Sequence, residues 1–223
     1  MEFATLNNGV IMPMLGYGVF QVSPEECEHC VADALSVGYR LIDTAQAYRN
    51  EEGVGAAVAK SGIPREEIFL VSKIWMTNFY PDHLIDLAHN FEVKPTVNQV
   101  ETHVFNQQVE ASKYMAEIGT VPMAWGPFAE GKNGIFTNDT LVGVGAKYGK
   151  TAAQVALRYL IQRGVIVIPK SSKKERMAQN IDVFDFKLSA EDMDAILKLD
   201  TGKPVVMPSH HDPEIVKWFM TLL

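Results

Sequence analysis

The chain has 223 residues, of which 47% are hydrophobic and 21% are charged, and these values are typical of one soluble globular domain. The net charge is −7 and no basic patch is evident, so the composition argues against nucleic acid as the main partner. The N-terminal residues lack a signal-peptide pattern and no apolar run reaches the length of a membrane span. We therefore expect a cytoplasmic protein without a membrane partner.

Short apolar segments alternate with amphipathic helices along the chain, which predicts βαβ units and a parallel sheet. Residues 3–12 predict an N-terminal hairpin with a turn at Asn7–Gly9. Six barrel strands are predicted at 14–19, 41–43, 68–73, 96–101, 120–125 and 165–168. Helices are predicted at 23–37, 51–60, 81–90, 107–117, 138–148, 151–164 and 189–199. An eight-stranded α/β barrel usually needs about 250 residues, so the chain is short for this fold.

Helix boundaries are marked by capping residues. Ser23, Thr151 and Ser189 each stand directly before a helical pattern, where a hydroxyl accepts from the first backbone N–H groups. Gly38 and Gly164 follow the ends of two helices, where glycine adopts the left-handed backbone of a C-terminal cap.

Cys27 and Cys30 form a C-x-x-C pair with His29 between them. The pattern is compatible with a redox pair or half of a metal site, and also with two thiols one turn apart on an ordinary helix. We favour the ordinary helix and expect no metal, because a structural zinc site needs four ligands and no second pair follows.

Asp43, Tyr48 and Lys73 form the main candidate catalytic group. Asp43 ends a strand, Tyr48 lies in the next loop and Lys73 ends the following strand, and strand ends share the catalytic face of an α/β barrel. An ammonium group stabilises a phenolate, so Lys73 is expected to lower the pKa of Tyr48. Tyr48 then protonates a carbonyl oxygen while Asp43 orients Lys73. The alternative is that Asp43 only caps a loop.

The segment at 168–176, IPKSSKKER, follows a buried strand and opens a helix. Backbone N–H groups at a helix start, together with Lys170 and Arg176, form a suitable phosphate site. The alternative is a solvated basic loop, and the pattern alone leaves both open. The chain contains no P-loop and no glycine-rich dinucleotide fingerprint.

Aromatic and amide side chains at other strand positions also leave two interpretations open. Trp75 and Trp125 each follow a strand and either wall a ligand pocket or plug the barrel. Asn98 and Gln99 lie inside an apolar strand, where their amides either bind a ligand or satisfy neighbouring backbone groups. Taken alone, this pair favours the structural role.

Two long segments resemble a known family. Residues 38–55, GYRLIDTAQAYRNEEGVG, and 168–180, IPKSSKKERMAQN, match both signatures of the aldo-keto reductases. The opening LNNGVIMPMLGYGVF and the ending SHHDPEIVKW are also similar to this family. The chain resembles the bacterial diketogluconate-reductase-like branch over essentially its whole length. The resemblance implies an NADPH-dependent oxidoreductase on a TIM-type (β/α) barrel, which reduces small aldehydes or ketones to alcohols.

The resemblance also implies roles for single residues. Tyr48 matches the proton donor, with Lys73 and Asp43 as its partners. Gln99 matches the residue that binds the carboxamide, and Trp125 the ring that stacks on the nicotinamide. Phe20 and Trp75 match substrate-pocket positions. The implied cofactor contacts, in which the basic group around the adenosine 2′-phosphate favours NADPH over NADH, are Gly18, Val19, Asp43, Asn78, Gln99, Trp125, Lys170, Ser171, Ser172, Arg176, Gln179 and Asn180.

One departure from the family pattern is large. After the lysine strand the family continues through two βα units, which carry a catalytic histidine and a Ser-Asn pair, whereas this chain passes at 76–78 directly into a later helix. The missing length is roughly 60 residues at about 30 per βα unit. We expect one domain, 1–223, truncated near 76–78 and retaining about six of eight barrel strands. Of the Ser-Asn pair only Asn78 has a counterpart, and no histidine is an obvious substitute among His29, His83, His89, His103, His210 and His211.

The truncation adds further hypotheses to that of a reductase. The chain also fits an impaired remnant that still binds NADPH, a structural or regulatory protein, or a deletion product without a function of its own. Removal of two strands leaves two unpaired edges. The remaining strands then close as a tighter barrel, stay open or pair with a second copy. Marginal stability and self-association through the open edges are therefore expected.

Overall fold

The computed structural model describes residues 1–73 and 96–206. The strands in these ranges are β1 (Phe3–Thr5), β2 (Ile11–Pro13), β3 (Tyr17–Gly18), β4 (Leu41–Asp43), β5 (Phe69–Val71), β6 (Val97–Glu101), β7 (Val121–Trp125) and β8 (Ile166–Val167). The helices are α1 (Pro24–Ser36), α2 (Glu51–Lys60), α3 (Val109–Glu117), α4 (Asp139–Tyr148), α5 (Ala152–Gln162), α6 (Lys174–Ile181) and α7 (Ala190–Leu197). Short 3-10 helices lie at Gln46–Tyr48, Arg65–Glu67 and Ala129–Thr137.

The parallel strands of the described residues form an arc in the order β6-β7-β8-β3-β4-β5. β3, β4 and β5 make one sheet, and β6, β7 and β8 make another. A parallel bridge between Leu15 and Val167 joins the two sheets. The N–H of Gly16 donates to Val167 O at 2.8 Å, and the N–H of Val167 donates to Met14 O at 2.9 Å. Within residues 1–73 and 96–206 no strand pairing joins β5 to β6, so these two strands end the arc.

The predicted parallel α/β arrangement is confirmed, and so is the N-terminal hairpin, in which β1 pairs with β2. The number of barrel strands stays a prediction, because the junction at 76–78 and the helix predicted at 81–90 lie outside the described residues. The ends of the arc are less buried than its middle. Leu70 on β5 is 37% exposed and Asn98 on β6 is exposed, whereas β4 and β8 are buried throughout.

The helix caps form as predicted. Ser23 Oγ accepts from the N–H of Glu26 at 3.3 Å at the start of α1. Thr151 and Ser189 each form a reciprocal capping box with the third helical residue, so both the side chain and the backbone of the cap are bonded. Gly38 follows α1 with a φ of 108°, which a residue with a side chain rarely adopts. Among the described helices, none combines the length and the apolar character needed to cross a bilayer.

No predicted element covers the irregular 3-10 segment Ala129–Thr137. Glu130, Gly131, Asn133 and Gly134 inside it have positive φ angles between 51° and 77°. Left-handed residues interrupt the 3.6-residue period on which helix prediction depends, so no helical pattern is visible in the sequence there.

The two cysteines lie in the core on α1, as the ordinary-helix interpretation requires. Cys27 is 0% exposed and Cys30 is 3% exposed, and both thiols are free. Burial, together with the nearby Cys30, raises the pKa of Cys27 to about 11. A thiol with a raised pKa is a poor nucleophile and a poor metal ligand at neutral pH, so these side chains act as small apolar packing groups.

Asp192 on α7 ties the last described helix to α4. Its carboxylate accepts from Lys147 Nζ at 2.6 Å, Tyr148 Oη at 2.5 Å and Ser189 Oγ at 2.9 Å. Burial opposes ionisation of this group, but the hydrogen bonds from these three donors outweigh it and lower the pKa of Asp192 to about 2.

We expect Asp192→Asn to reduce the free energy of unfolding by about 1–3 kcal/mol at pH 7, because three donors lose a charged acceptor. The folded pKa lies below the unfolded value of about 3.9, so the carboxylate stabilises the fold above about pH 4 and loses this effect as the pH falls towards 2. Urea unfolding at pH 7 and pH 3 measures the gap between variant and wild type, which should shrink at pH 3. Asp194→Asn, at an exposed position of the same helix, is the control. A gap of equal size at both pH values would contradict the assignment.

Candidate active site

The carboxyl ends of the parallel strands open into a cleft of about 540 Å³. Catalytic groups of α/β barrels lie at this end of the strands. Both sheets contribute to the lining, and they are joined by the bridge between Leu15, just before β3, and Val167 on β8. The sequence-predicted site residues that line it are Gly18, Phe20, Asp43, Tyr48, Lys73, Gln99, Trp125 and Lys170.

Asp43 is the buried centre of the cleft. It ends the buried strand β4 and is 2% exposed. Lys73 Nζ donates to Asp43 Oδ1 at 2.6 Å, and Gln99 Nε2 donates to Asp43 Oδ2 at 3.0 Å. Burial raises the pKa of Asp43, while the charge and hydrogen bond of Lys73 and the hydrogen bond of Gln99 act in the opposite direction. The carboxylate is thus held in one orientation by one donor from each sheet.

Tyr48 ends the 3-10 helix Gln46–Tyr48, in which the N–H of Gln46 donates to the O of Lys73, two residues after β5, at 3.0 Å. Lys73 Nζ lies 5.2 Å from the centroid of the Tyr48 ring, and donates to Asp43 and to Thr44 O rather than to the phenol. Burial raises the pKa of Tyr48 to about 12, and the charge of Asp43 adds to the rise. The expectation that Lys73 lowers the pKa of Tyr48 is therefore wrong. The phenol is a protonated donor at neutral pH.

Gln99 and Trp125 enter the cleft from neighbouring strands. Side chains alternate between the two faces of a strand, so Gln99 on β6 faces the cleft while Asn98 is exposed. The structure thereby separates the Asn98–Gln99 pair into one cleft residue and one surface residue. Trp125 is half-buried at the end of β7 and lines the cleft rather than filling the core.

The basic segment at 170–176 begins at the cleft and leads into α6. Lys170 lines the cleft, and the side chains of Ser172, Lys173 and Arg176 are exposed. Ser171 Oγ accepts from the N–H of Lys173 at 3.1 Å, which closes a turn before α6. In the part of the chain that the structure describes, no side chain caps the N-terminus of α6, so its first N–H groups have no side-chain partner there. This donor set fits a phosphate group.

The remaining predicted site residues divide into two groups. Trp75 and Asn78 lie outside the described residues. The others are described but do not line the cleft: Val19, Ser171, Ser172, Arg176, Gln179 and Asn180. Val19 is buried, and its N–H donates to Asp43 O at 3.0 Å, so it supports the strand end that carries the carboxylate.

Asn50 is a supporting residue that sequence analysis missed. It is 1% exposed, and its Nδ2 donates to Val19 O and to Val22 O, each at 3.0 Å, while its Oδ1 accepts from Thr44 Oγ1 at 2.8 Å. These bonds join the loops after β3 and β4, which carry Phe20 and Tyr48. Phe20 and Tyr48 rings lie with centroids 5.1 Å apart. The only signal in the sequence was the position of Asn50 within the 38–55 signature.

The segment at 126–137 forms one wall of the cleft and was also missed. Gly126, Phe128, Glu130, Gly131 and Phe136 all line the cleft. Left-handed backbone at non-glycine residues is concentrated here, with φ near 50° at Ala129, Glu130 and Asn133. Such backbone is costly and persists where the surrounding structure requires it. The sequence signal that could have indicated this wall was the Gly-Pro pair at 126–127, directly after the strand that carries Trp125.

His103 has a structural role. It is 0% exposed, its Nε2 lies 3.0 Å from Glu101 Oε1, and its Nδ1 accepts from the N–H of Phe105 at 3.2 Å. These partners assign the proton to Nε2. Burial lowers the pKa of His103, although Glu101 and Asp200 act in the opposite direction. Glu101 Oε1 also accepts from the N–H groups of residues 205 and 206 and so anchors the last described residues beside the cleft.

Comparison with known proteins identifies the family. The model of the Aldo/keto reductase family matches residues 12–85 and 75–201. The chain belongs to the aldo-keto reductase family. It is 37% identical to an aldo-keto reductase of Mycolicibacterium smegmatis, with 89% of this chain and 94% of the relative covered. It is 35% identical to the glyoxal reductase of Bacillus subtilis, with 90% and 93% covered. A crystal structure of a Bombyx mori aldo-keto reductase in complex with NADP superimposes with a TM-score of 0.83 at 27% identity, with 97% and 96% covered.

The alignment with the mycobacterial aldo-keto reductase has more positions than this chain has aligned residues. It spans 259 positions, whereas 89% of 223 residues is about 198, so about 60 positions have no counterpart in this chain. The two family matches meet at 75–85. Membership of the family supports an oxidoreductase of small-molecule carbonyl compounds with a nicotinamide cofactor.

Proposed function

We propose that this aldo-keto reductase uses NADPH to reduce aldehydes or ketones to alcohols, with Tyr48 as the proton donor. The observation that carries the proposal is that Asp43, Tyr48, Lys73 and Lys170 all line one cleft. A catalytic group and a phosphate-binding group thus face one ligand space. The relatives named as glyoxal reductase and as a complex with NADP support the same reaction class and cofactor class.

The chemistry divides between the cofactor and the protein. NADPH, when bound, supplies the hydride that the carbonyl carbon accepts. Tyr48 Oη gives its proton to the carbonyl oxygen, so one hydride and one proton complete the alcohol. Because the pKa of Tyr48 is about 12, the group carries that proton throughout the neutral range. The phenolate left behind lies beside the Lys73 ammonium, which is 5.2 Å from the ring centroid, and it regains a proton from water.

The chain offers groups for each end of NADPH. We assign the nicotinamide end to Gly18, Gln99 and Trp125 and the adenosine 2′-phosphate to the basic segment at 170–176, with Gln179 and Asn180 near the adenine. The cations and uncapped N–H groups of that segment support a phosphate ligand. Phe20 is assigned to the substrate side, since it lines the cleft and its ring packs against Tyr48.

A second candidate function is an NADPH-binding protein with impaired catalysis. We propose that the chain is one domain truncated near 76–78, and that it lacks the two βα units which carry the family's catalytic histidine. The 60 or so positions without a counterpart and the meeting of the two family matches at 75–85 support this proposal. Without the histidine the carbonyl oxygen has one donor fewer, so slow turnover with intact cofactor binding is the expected outcome.

We also propose that two copies associate through the ends of the strand arc. β5 and β6 end the arc within the described residues, and Leu70 on β5 is 37% exposed. A second copy presents the same edges and so provides matching hydrogen-bond partners. Leu70→Lys should convert a dimer to a monomer in sedimentation velocity, because a charged side chain blocks edge pairing. Val142→Lys is the control, because Val142 is 48% exposed and lies on α4 rather than on a strand. A wild-type protein that sediments as a monomer at micromolar concentration would reject this proposal.

Cofactor binding is the direct test of the proposed function. Titration of intrinsic tryptophan fluorescence with NADPH should show saturable quenching, since Trp125 lines the cleft. Lys170→Met with Arg176→Met should weaken NADPH binding by about tenfold or more, because two cations that pair with a phosphate are removed. NADH, which lacks the 2′-phosphate, should be affected much less. Saturable binding that is identical for both cofactors would refute the assignment of the basic segment.

Tyr48→Phe tests the proton donor. The variant should lose about 10²-fold or more in kcat with a glyoxal or aldehyde substrate, and should keep the wild-type affinity for NADPH. Because the acid form of Tyr48 is the active one and its pKa is about 12, this group causes no loss of rate between pH 6 and pH 9. Tyr114→Phe, at a tyrosine that is 63% exposed on α3, is the control. Undiminished turnover by Tyr48→Phe would eliminate the proposed role.

A further inference from the structure

Two buried tyrosines lie directly beneath the basic segment at 170–176. Tyr17 Oη donates to Ser171 O at 2.5 Å, and Tyr39 Oη donates to Met177 O at 3.2 Å. Tyr17 is 1% exposed and Tyr39 is 0% exposed, and their rings meet edge to face with centroids 5.9 Å apart. One tyrosine therefore reaches the turn before α6 and the other reaches the first turns of α6 itself.

The bond from Tyr17 sets the direction of one peptide group. A trans peptide is planar, and its C=O and the following N–H point in opposite directions. Since Tyr17 holds the carbonyl of Ser171 towards the core, the N–H of Ser172 points outwards, on the side where Ser172 itself is exposed. Among the described residues this N–H has no hydrogen-bond partner. The N–H of Ser172 is therefore a pre-oriented hydrogen-bond donor two residues after Lys170.

The bond from Tyr39 fixes the helix in the same region. Met177 O lies inside α6, whose backbone carbonyls accept bonds within the helix, so Tyr39 adds a second donor from the loop between α1 and β4. The side chain of Met177 is also buried. This contact holds the N-terminal turn of α6, with Arg176, at a fixed position relative to the segment that Tyr17 orients.

Packing alone does not explain two hydroxyl groups at these positions. Phenylalanine fills the same space, and a buried hydroxyl costs free energy unless it is bonded. Tyr17 bonds the carbonyl of Ser171 inside the basic segment, 154 positions away, and Tyr39 bonds the carbonyl of Met177 directly after it, 138 positions away. The pKa of both phenols is raised, mainly by burial, so both remain neutral donors.

We propose that Tyr17 and Tyr39 are positioning residues for the 2′-phosphate of NADPH, which set the cofactor preference without touching the cofactor. They act by aiming the N–H of Ser172 and the start of α6 at the phosphate. This inference rests on the proposed function. Loss of either hydroxyl leaves a buried carbonyl with one donor fewer, so the segment rotates or moves and the preset donors are misplaced.

The test compares affinities for NADPH and NADH by fluorescence titration of Tyr17→Phe, Tyr39→Phe and wild type. We expect each variant to bind NADPH about tenfold more weakly and NADH less than about twofold more weakly, so that the preference for NADPH falls. Tyr159→Phe is the matched control, because Tyr159 is 1% exposed and its hydroxyl donates to Gln107 Oε1 at 2.6 Å, away from the basic segment. The control should leave the ratio of the two dissociation constants unchanged.

The outcomes separate the two proposals. A wild type that does not prefer NADPH refutes the assignment of the basic segment, and the tyrosine inference with it. A wild type that prefers NADPH, with both variants keeping that preference within about twofold, overturns the tyrosine inference alone. A ratio that falls equally in Tyr159→Phe also overturns it, because a general loss of stability then explains the change. Should Tyr17→Phe fail to fold, Tyr39→Phe decides on the same criterion.

Discussion

The backbone seam between residues 14–18 and 167–169 holds together the two sheets on which everything else depends. The N–H of Gly16 donates to Val167 O at 2.8 Å, the N–H of Val167 donates to Met14 O at 2.9 Å, and the N–H of Gly18 donates to Pro169 O at 3.3 Å. The approach is close enough that a Cβ at Gly18 would lie 3.0 Å from Ile168 O. Without this seam the carboxylate of Asp43 and the amide of Gln99 would belong to separate sheets with no fixed distance between them.

Asp43 is buried between the two sheets that this seam joins, so its charge needs partners within the protein. A buried carboxylate is costly unless it is paired and hydrogen-bonded. Lys73 from one sheet and Gln99 from the other supply these partners, and both side chains are thereby oriented in the cleft. The same negative charge helps to keep the Tyr48 phenol protonated. The arrangement thus places a protonated phenol in the cleft beside a buried, hydrogen-bonded carboxylate.

The strands that carry the cleft residues differ in burial and in their position within the arc. The basic segment follows β8, which lies in the middle of the strand arc and is buried throughout. Lys73 follows β5, which ends the arc within residues 1–73 and 96–206 and is partly exposed. The proposed loss of βα units after β5 would therefore fall beside Asp43, Tyr48 and Lys73, whereas the basic segment follows a strand that is paired on one side with β7 and bridged on the other to Leu15. This asymmetry is the structural reason for considering cofactor binding and turnover as separable properties of the chain.

Features encoded by residues close together in the chain could be predicted from the sequence. The caps at Ser23, Thr151 and Ser189, the strand that ends at Asp43 and the basic segment before α6 all follow from local patterns, and the two signature segments identified the family. Tertiary structure alone decided that Gln99 contacts Asp43, that Tyr17 holds Ser171, and that burial raises rather than lowers the pKa of Tyr48. These outcomes depend on which side of each strand faces the cleft and on how much water remains around each group. Both are set by contacts between residues 56 to 154 positions apart, and no local pattern records them.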